Sequence, residues 1–96
     1  MIKHIVCHNI PDKEAAQKAA DMLNALYGVV PSLRSMKAGV DVLGSERSYA
    51  LGIVAEFDDL DGLREYDTHP EHCKIRNYIK GVKDDTRPSV SCDFQF

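Results

Sequence analysis

The hydrophobic periodicities along this 96-residue chain predict an α+β fold of order β-α-β-β-α-β, one antiparallel four-stranded sheet with its helices on a single face. Three observations support that expectation. Four segments alternate with the two-residue period of a strand, the stretches between them repeat apolar residues at helical spacing, and the short polar turn Gly44-Ser45-Glu46-Arg47 implies that the two central strands are joined as an antiparallel return.

The first strand runs from Ile2 to Ile10, with Ile2, His4, Val6, His8 and Ile10 on one face and Lys3, Ile5, Cys7 and Asn9 on the other. Both faces are largely apolar, so both need cover. Pro11-Asp12 ends the strand, and Asp12 is an N-cap for a helix from Lys13 to about Tyr27. Ala16, Ala20, Leu23 and Tyr27 form its apolar stripe, widened by Ala19, Met22 and Leu26, and Gly28 stops it. A second strand is expected over Leu33–Leu43 and a third over Ser48–Phe57, where Tyr49, Leu51, Ile53, Ala55 and Phe57 alternate with Ala50, Gly52, Val54 and Glu56. Asp58-Asp59 opens a short helix carrying Leu60, Leu63 and Tyr66 at helical spacing, with acidic residues at its positive end. Pro70 breaks that helix and starts the next, from Pro70 to about Lys80, with His72, Ile75 and Ile79 on one face and Gly81 as the stop. The last strand spans Pro88–Phe96, with Val90, Cys92, Phe94 and Phe96 alternating against Ser89, Ser91, Asp93 and Gln95.

This order is the ferredoxin-like arrangement. Its helices cover one side of the sheet only, leaving Ile5, Cys7, Val54 and Val90 or Phe94 on a bare apolar face. Two copies packed sheet to sheet about a two-fold axis would bury it, so the expected partner is a second copy of the chain, forming a dimeric α/β barrel. Composition agrees: 44% hydrophobic and 28% charged residues suit one globular domain spanning residues 1–96. A domain of this size buries only roughly 60–65% of its unfolded surface, which also favours a partner subunit. The net charge of −3 argues against nucleic acid, whose phosphates need a broad basic surface. No apolar run reaches the length of a signal peptide or a membrane helix, so a cytoplasmic protein without membrane contact is expected.

The residues with chemical potential cluster around the proline. Tyr66 shares the stripe of Leu60 and Leu63, and His72 shares that of Ile75 and Ile79, so the two should meet on the inside of the Pro70 bend. An imidazole titrates near neutrality and a phenol donates a hydrogen bond, which together suit acid–base work on a carbonyl compound. His4 and His8 add two imidazoles if their face of the first strand points to the helices. The competing structural reading is that the buried Tyr and His satisfy themselves on backbone, and that His69, just before the proline, caps the following helix. No metal or organic cofactor is expected. His4 and His8, four residues apart on a strand, are about 13 Å from each other and cannot hold one ion. Cys7, Cys73 and Cys92 are an odd, widely spaced set that reads as small buried hydrophobes rather than disulfides or ligands.

Ile2-Lys3-His4-Ile5-Val6, Val30-Pro31-x-Leu33, Gly39, the Tyr49–Phe57 strand ending in Glu56-Phe57, the segment Tyr66-x-x-His69-Pro70-x-His72 and the closing Asp93-Phe94 together resemble the stress-responsive dimeric A/B barrel (Dabb) domain family over essentially the whole chain. The resemblance implies a stress-associated dimeric barrel with a pocket between sheet and helices. Most members have no defined reaction; one is a cofactor-independent polyketide cyclase that makes olivetolic acid. Its catalytic tyrosine and histidine fall on Tyr66 and His72, and its first-strand histidine and terminal aspartate on His4 and Asp93. Its third-strand pocket histidine falls on Leu51 and a pocket leucine on His8, so its substrate does not transfer. The implied pocket set is therefore His4, Val6, His8, Leu51, Ile53, His69 and Asp93 around the pair Tyr66 and His72. The expected function is the binding of a small carbonyl ligand by a domain of undefined activity, with cyclase-like or isomerase-like acid–base catalysis as the alternative.

Overall fold

The computed structural model describes residues 1–96. Seven elements follow one another: β1 (Ile2–His8), α1 (Lys13–Asn24), β2 (Ser35–Val40), β3 (Leu51–Phe57), α2 (Leu60–Thr68), α3 (Pro70–Val82) and β4 (Val90–Gln95). The four strands form one sheet in the order β2-β3-β1-β4, and every neighbouring pair is antiparallel. This is the ferredoxin-like order the sequence predicts.

The register decides which residues meet. His4 lies opposite Ala55, Val6 opposite Ile53 and His8 opposite Leu51, while on the other side of β1 His4 faces Asp93 and Val6 faces Ser91. Directly paired residues share a sheet face. The helix-facing side therefore holds Ile2, His4, Val6 and His8 of β1 and the fully buried Leu51, Ala55 and Phe57 of β3. Alanines 15, 16, 19 and 20 let α1 lie close on the sheet, with Leu23 filling the next space. The core contains no buried polar or charged residue. On the opposite side Ile5, Cys7, Val54, Val90 and Phe94 look away from the helices, and Val54, Val90 and Phe94 are 38%, 48% and 42% exposed.

Several elements are shorter than the periodicity suggests, for local reasons. The first helix ends at Asn24 rather than near Tyr27, because Leu26 and Tyr27 bond three residues back and the chain tightens into turns that pass through Gly28, with φ +88°. Tyr27 is exposed as a result, and Leu26 and Val30 take the buried positions. The Asn24 side chain then bonds both the N–H and the carbonyl of Ala38, each at 2.9 Å, and so substitutes for a strand partner on the free edge of β2. The β2 strand stops at Val40 and β3 starts at Leu51, since Asp41 accepts from Gly44 N–H and Ser45 pairs with Ser48 in an exposed turn. Leu60 is half exposed at the start of α2, while Leu63 and Tyr66 turn inward. The third helix passes through Gly81 to Val82, so that glycine is no stop; the Lys83 N–H closes the last turn on the Ile79 carbonyl at 2.9 Å.

The caps follow the sequence. Asp12 accepts from Glu14 N–H and Asp59 from Gly62 N–H, and Pro70 sits in the first turn of α3 where its missing N–H costs nothing. No Cα–Cα approach within 8 Å joins α3 to β1 or β4. That gap positions the site.

Candidate functional site

The space between α3 and the β1–β4 side of the sheet is a cavity of about 400 Å³. Its floor is Val6 and Ile53 from the sheet with Leu23 and Ile79 from the helices. Its polar groups come from three directions: His4 and His8 on β1, Tyr66 and Asp67 at the end of α2, and His72, Arg76 and Lys80 along one line of α3, followed by Lys83 just beyond it. Ser89 and Ser91 close the side at β4. The volume falls within the range of small-molecule sites.

Tyr66 and His72 meet where the sequence places them. The Pro70 bend carries the chain from α2 into α3, and the two rings lie 4.1 Å apart between centroids. Phe57 backs the Tyr66 ring at 5.1 Å, and His4 approaches it edge-on at 5.9 Å. The Tyr66 side chain is almost wholly buried, yet its hydroxyl has no hydrogen-bond partner in the chain and is not sealed off from the cavity. Burial, with the nearby Asp67 carboxylate adding to it, pushes the phenol far above its ordinary range. It therefore stays protonated and acts as a donor.

His72 is displaced in the complementary direction. Burial holds its imidazole below 6.5, with Arg76 and His4 adding repulsion and the Asp67 carbonyl and carboxylate opposing it. The ring is neutral at pH 7. Its Nδ1 lies 3.2 Å from the Asp67 carbonyl, which can only accept, so we assign the proton to Nδ1. Arg76 is farther, at 3.4 Å, and already donates to the Asp67 carbonyl at 2.8 Å and carboxylate at 2.5 Å. His72 Nε2 is left with a free lone pair. Asp67 and Arg76 thus fix both the tautomer and the ring, a support that residue types alone did not reveal. The i, i+4 spacing of His72 and Arg76 is the signal that could have exposed it.

His4 and His8 are held from β4 and its approach. His4 Nδ1 bonds the Asp93 carboxylate and His8 Nδ1 lies 2.5 Å from Ser89 Oγ. Burial and the charge of Lys83 lower the His8 pKa. Of the expected pocket set, His4, Val6, His8 and Ile53 line the cavity with Tyr66 and His72, whereas Leu51, His69 and Asp93 do not. Leu51 is wholly buried beneath the helices. His69 turns away to accept the Glu71 N–H at 3.1 Å as the N-cap of α3, and Asp93 acts from behind by orienting His4. Arg76, Lys80, Lys83, Ser89 and Ser91 are cavity residues that the apolar stripes could not indicate: polar side chains on a helix, such as Arg76 and Lys80, ordinarily mark its solvated face, and the other three lie beyond the helix or on β4 and its approach. No group of three or more His, Cys, Asp or Glu side chains is arranged to hold a metal. No helix is long and apolar enough to cross a membrane.

Comparison with solved structures places this fold among known ones. A dimeric ferredoxin-like protein of unknown function from Bacteroides fragilis NCTC 9343 superposes with a TM-score of 0.87 at 24% identity, covering 99% of this chain and 95% of its own. A dimeric ferredoxin-like protein of unknown function from Thermobifida fusca gives 0.83 at 26% identity, covering 99% and 90%. A hydroxynitrile lyase from Passiflora edulis shares the fold at 11% identity, with a TM-score of 0.78 over 97% and 90% of the two chains. No curated protein sequence matches the chain at a significant level. The family model of the stress responsive A/B barrel domain matches residues 2–95, and the chain belongs to that family.

Proposed function

We propose that residues 1–96 act as one domain of a homodimer, closed through the outer sheet face, whose cavity binds a small carbonyl compound with its oxygen on the Tyr66 hydroxyl. One observation carries this reading: a phenol with a buried ring, whose accessible hydroxyl has no partner in the chain, lines a cavity of apolar floor beside an imidazole nitrogen with a free lone pair. Such a hydroxyl gains most from a ligand that supplies the missing acceptor. The dimer is supported by the exposed Val54, Val90 and Phe94 beside Ile5 and Cys7, and by the dimeric state of the Bacteroides fragilis and Thermobifida fusca relatives.

A second reading, acid–base catalysis, is favoured by the opposite displacements of the two groups: a phenol kept protonated and an imidazole kept neutral. His72 Nε2 would take a proton from the carbon next to the carbonyl, and the enolate oxygen would be held by the Tyr66 O–H until the proton returned. The test uses the methyl ketone 2-decanone. Amide and imidazole NMR signals of Tyr66, His72 and His4 should move on titration of the wild type and respond far less in Tyr66→Phe. In deuterated buffer, His72-dependent loss of the ketone's α-protons would establish the catalytic reading. A ketone titration that leaves the cavity signals unmoved would overturn the binding reading.

A further inference from the structure

We propose that the natural ligand is an elongated keto acid, its carbonyl at the Tyr66–His72 end of the cavity and a carboxylate at the far end, between Lys80, Lys83 and Ser89. The inference rests on the carbonyl reading above and adds the second functional group. Along β1 the cavity runs from His4 to His8, about 13 Å at the rise of a strand. Along α3 it runs from His72 through Arg76 and Lys80 to Lys83, about 16 Å at the rise of a helix. The two walls run side by side: His4 stands beside Tyr66, which stacks on His72, and at the other end the Asp84 N–H donates to the Asn9 carbonyl at 2.9 Å, joining the residues that follow Lys83 and His8.

The charge along this axis is uneven. Asp67 is the one acid in the lining, and Arg76 occupies its carboxylate at 2.5 Å. Lys80 has no carboxylate within ion-pair distance. Lys83 has only the solvent-exposed Asp85, at 3.6 Å and outside the cavity, a pair of a kind that contributes little. Facing these lysines, β4 and its approach present Ser91, a hydroxyl able to donate to an anion, and Ser89, which can do the same when its Oγ accepts from His8 Nδ1. The inner face of β4, Ser91, Asp93 and Gln95, is polar, whereas those of β2 and β3 are apolar, and no helix packs on β4.

Lysines in the last turn of a helix also complement its negative end, a structural role that needs no ligand. That same negative end sets the ligand's charge. A phosphate dianion would meet the carbonyl ends of α3 and no array of backbone N–H groups, whereas a single carboxylate between two lysines matches the site.

The probes are 9-oxodecanoate, its methyl ester and 2-decanone, each titrated into the wild type and into Lys80→Gln/Lys83→Gln by NMR, in low and high salt. The expected result is that 9-oxodecanoate binds at least tenfold tighter than the ester or 2-decanone, and that salt or the double substitution removes this advantage. The neutral ketones should bind wild type and variant alike. Lys80→Arg/Lys83→Arg should keep most of the preference. Equal affinities for acid and ester, or a lysine variant that weakens all three probes together, would overturn the keto-acid assignment while leaving the carbonyl reading intact. Failure of all three probes to move the Tyr66 and His72 signals would instead overturn the carbonyl reading and the inference with it.

Discussion

Replacing Tyr66 by Phe removes one oxygen from one of the most buried side chains in the domain, and the structure sets the expected cost. The ring contacts survive: Phe57 at 5.1 Å, His72 at 4.1 Å and His4 at 5.9 Å all address the ring rather than the hydroxyl. The hydroxyl donates to nothing in the chain, so no hydrogen bond is lost, whereas a bonded hydroxyl would contribute about 0.5–1.5 kcal/mol. Stability should change by less than about 0.5 kcal/mol, a Tm shift within about 2–4 °C for a domain of this size. Carbonyl affinity should fall roughly 2- to 12-fold, the value of one hydrogen bond. Differential scanning fluorimetry and a 2-decanone titration on the same preparation give both numbers. A Tm loss above about 8 °C with unchanged ketone affinity would refute the reasoning, since it would mean that the hydroxyl serves the fold.

Three further outcomes are expected. The folded-state pKa values of His8 and His72 lie below the ordinary 6.5, so the unfolded chain binds more protons just under that pH; Tm should hold above it and decline as pH falls from 6.5 through the folded values, and less so in His8→Asn/His72→Asn. His69→Ala should cost about 1 kcal/mol in chemical denaturation through loss of the α3 cap, with ketone affinity unchanged. Ile5→Glu should shift the mass seen by light scattering from dimer towards monomer, because it sets a charge in the middle of the outer sheet face.

The architecture was legible because both periodicities are clean in the sequence. Alternation in Ile2–His8 and Leu51–Phe57 fixed which side chains share a face, and the Pro70 bend fixed that Tyr66 and His72 meet. Element ends were less legible where side chains compete with backbone. Past α1 the chain tightens into turns while the Asn24 side chain is taken up by the β2 edge, and Asp41 with Ser45 and Ser48 draws the β2–β3 connection out of the sheet. Helical Gly81 shows that a glycine alone is no stop when the next residues can still close the last turn. In the site, Leu51 and His69 had the right neighbourhood and the wrong direction, one sealed under the helices and the other spent on a cap. Arg76, Lys80 and Lys83 were not legible for the opposite reason: the first two look like a solvated helix face and the third like a polar connection, and only the gap between α3 and β4 makes them a wall.

The central claim is that the Tyr66 hydroxyl holds a carbonyl oxygen in this cavity. The most direct test is the carbon-13 shift of 2-decanone labelled at its carbonyl, bound to wild type and to Tyr66→Phe. A hydrogen bond from a phenol should move the bound carbonyl downfield in the wild type, and the variant should lose that displacement while still holding the chain. Identical bound shifts in the two proteins would contradict the account.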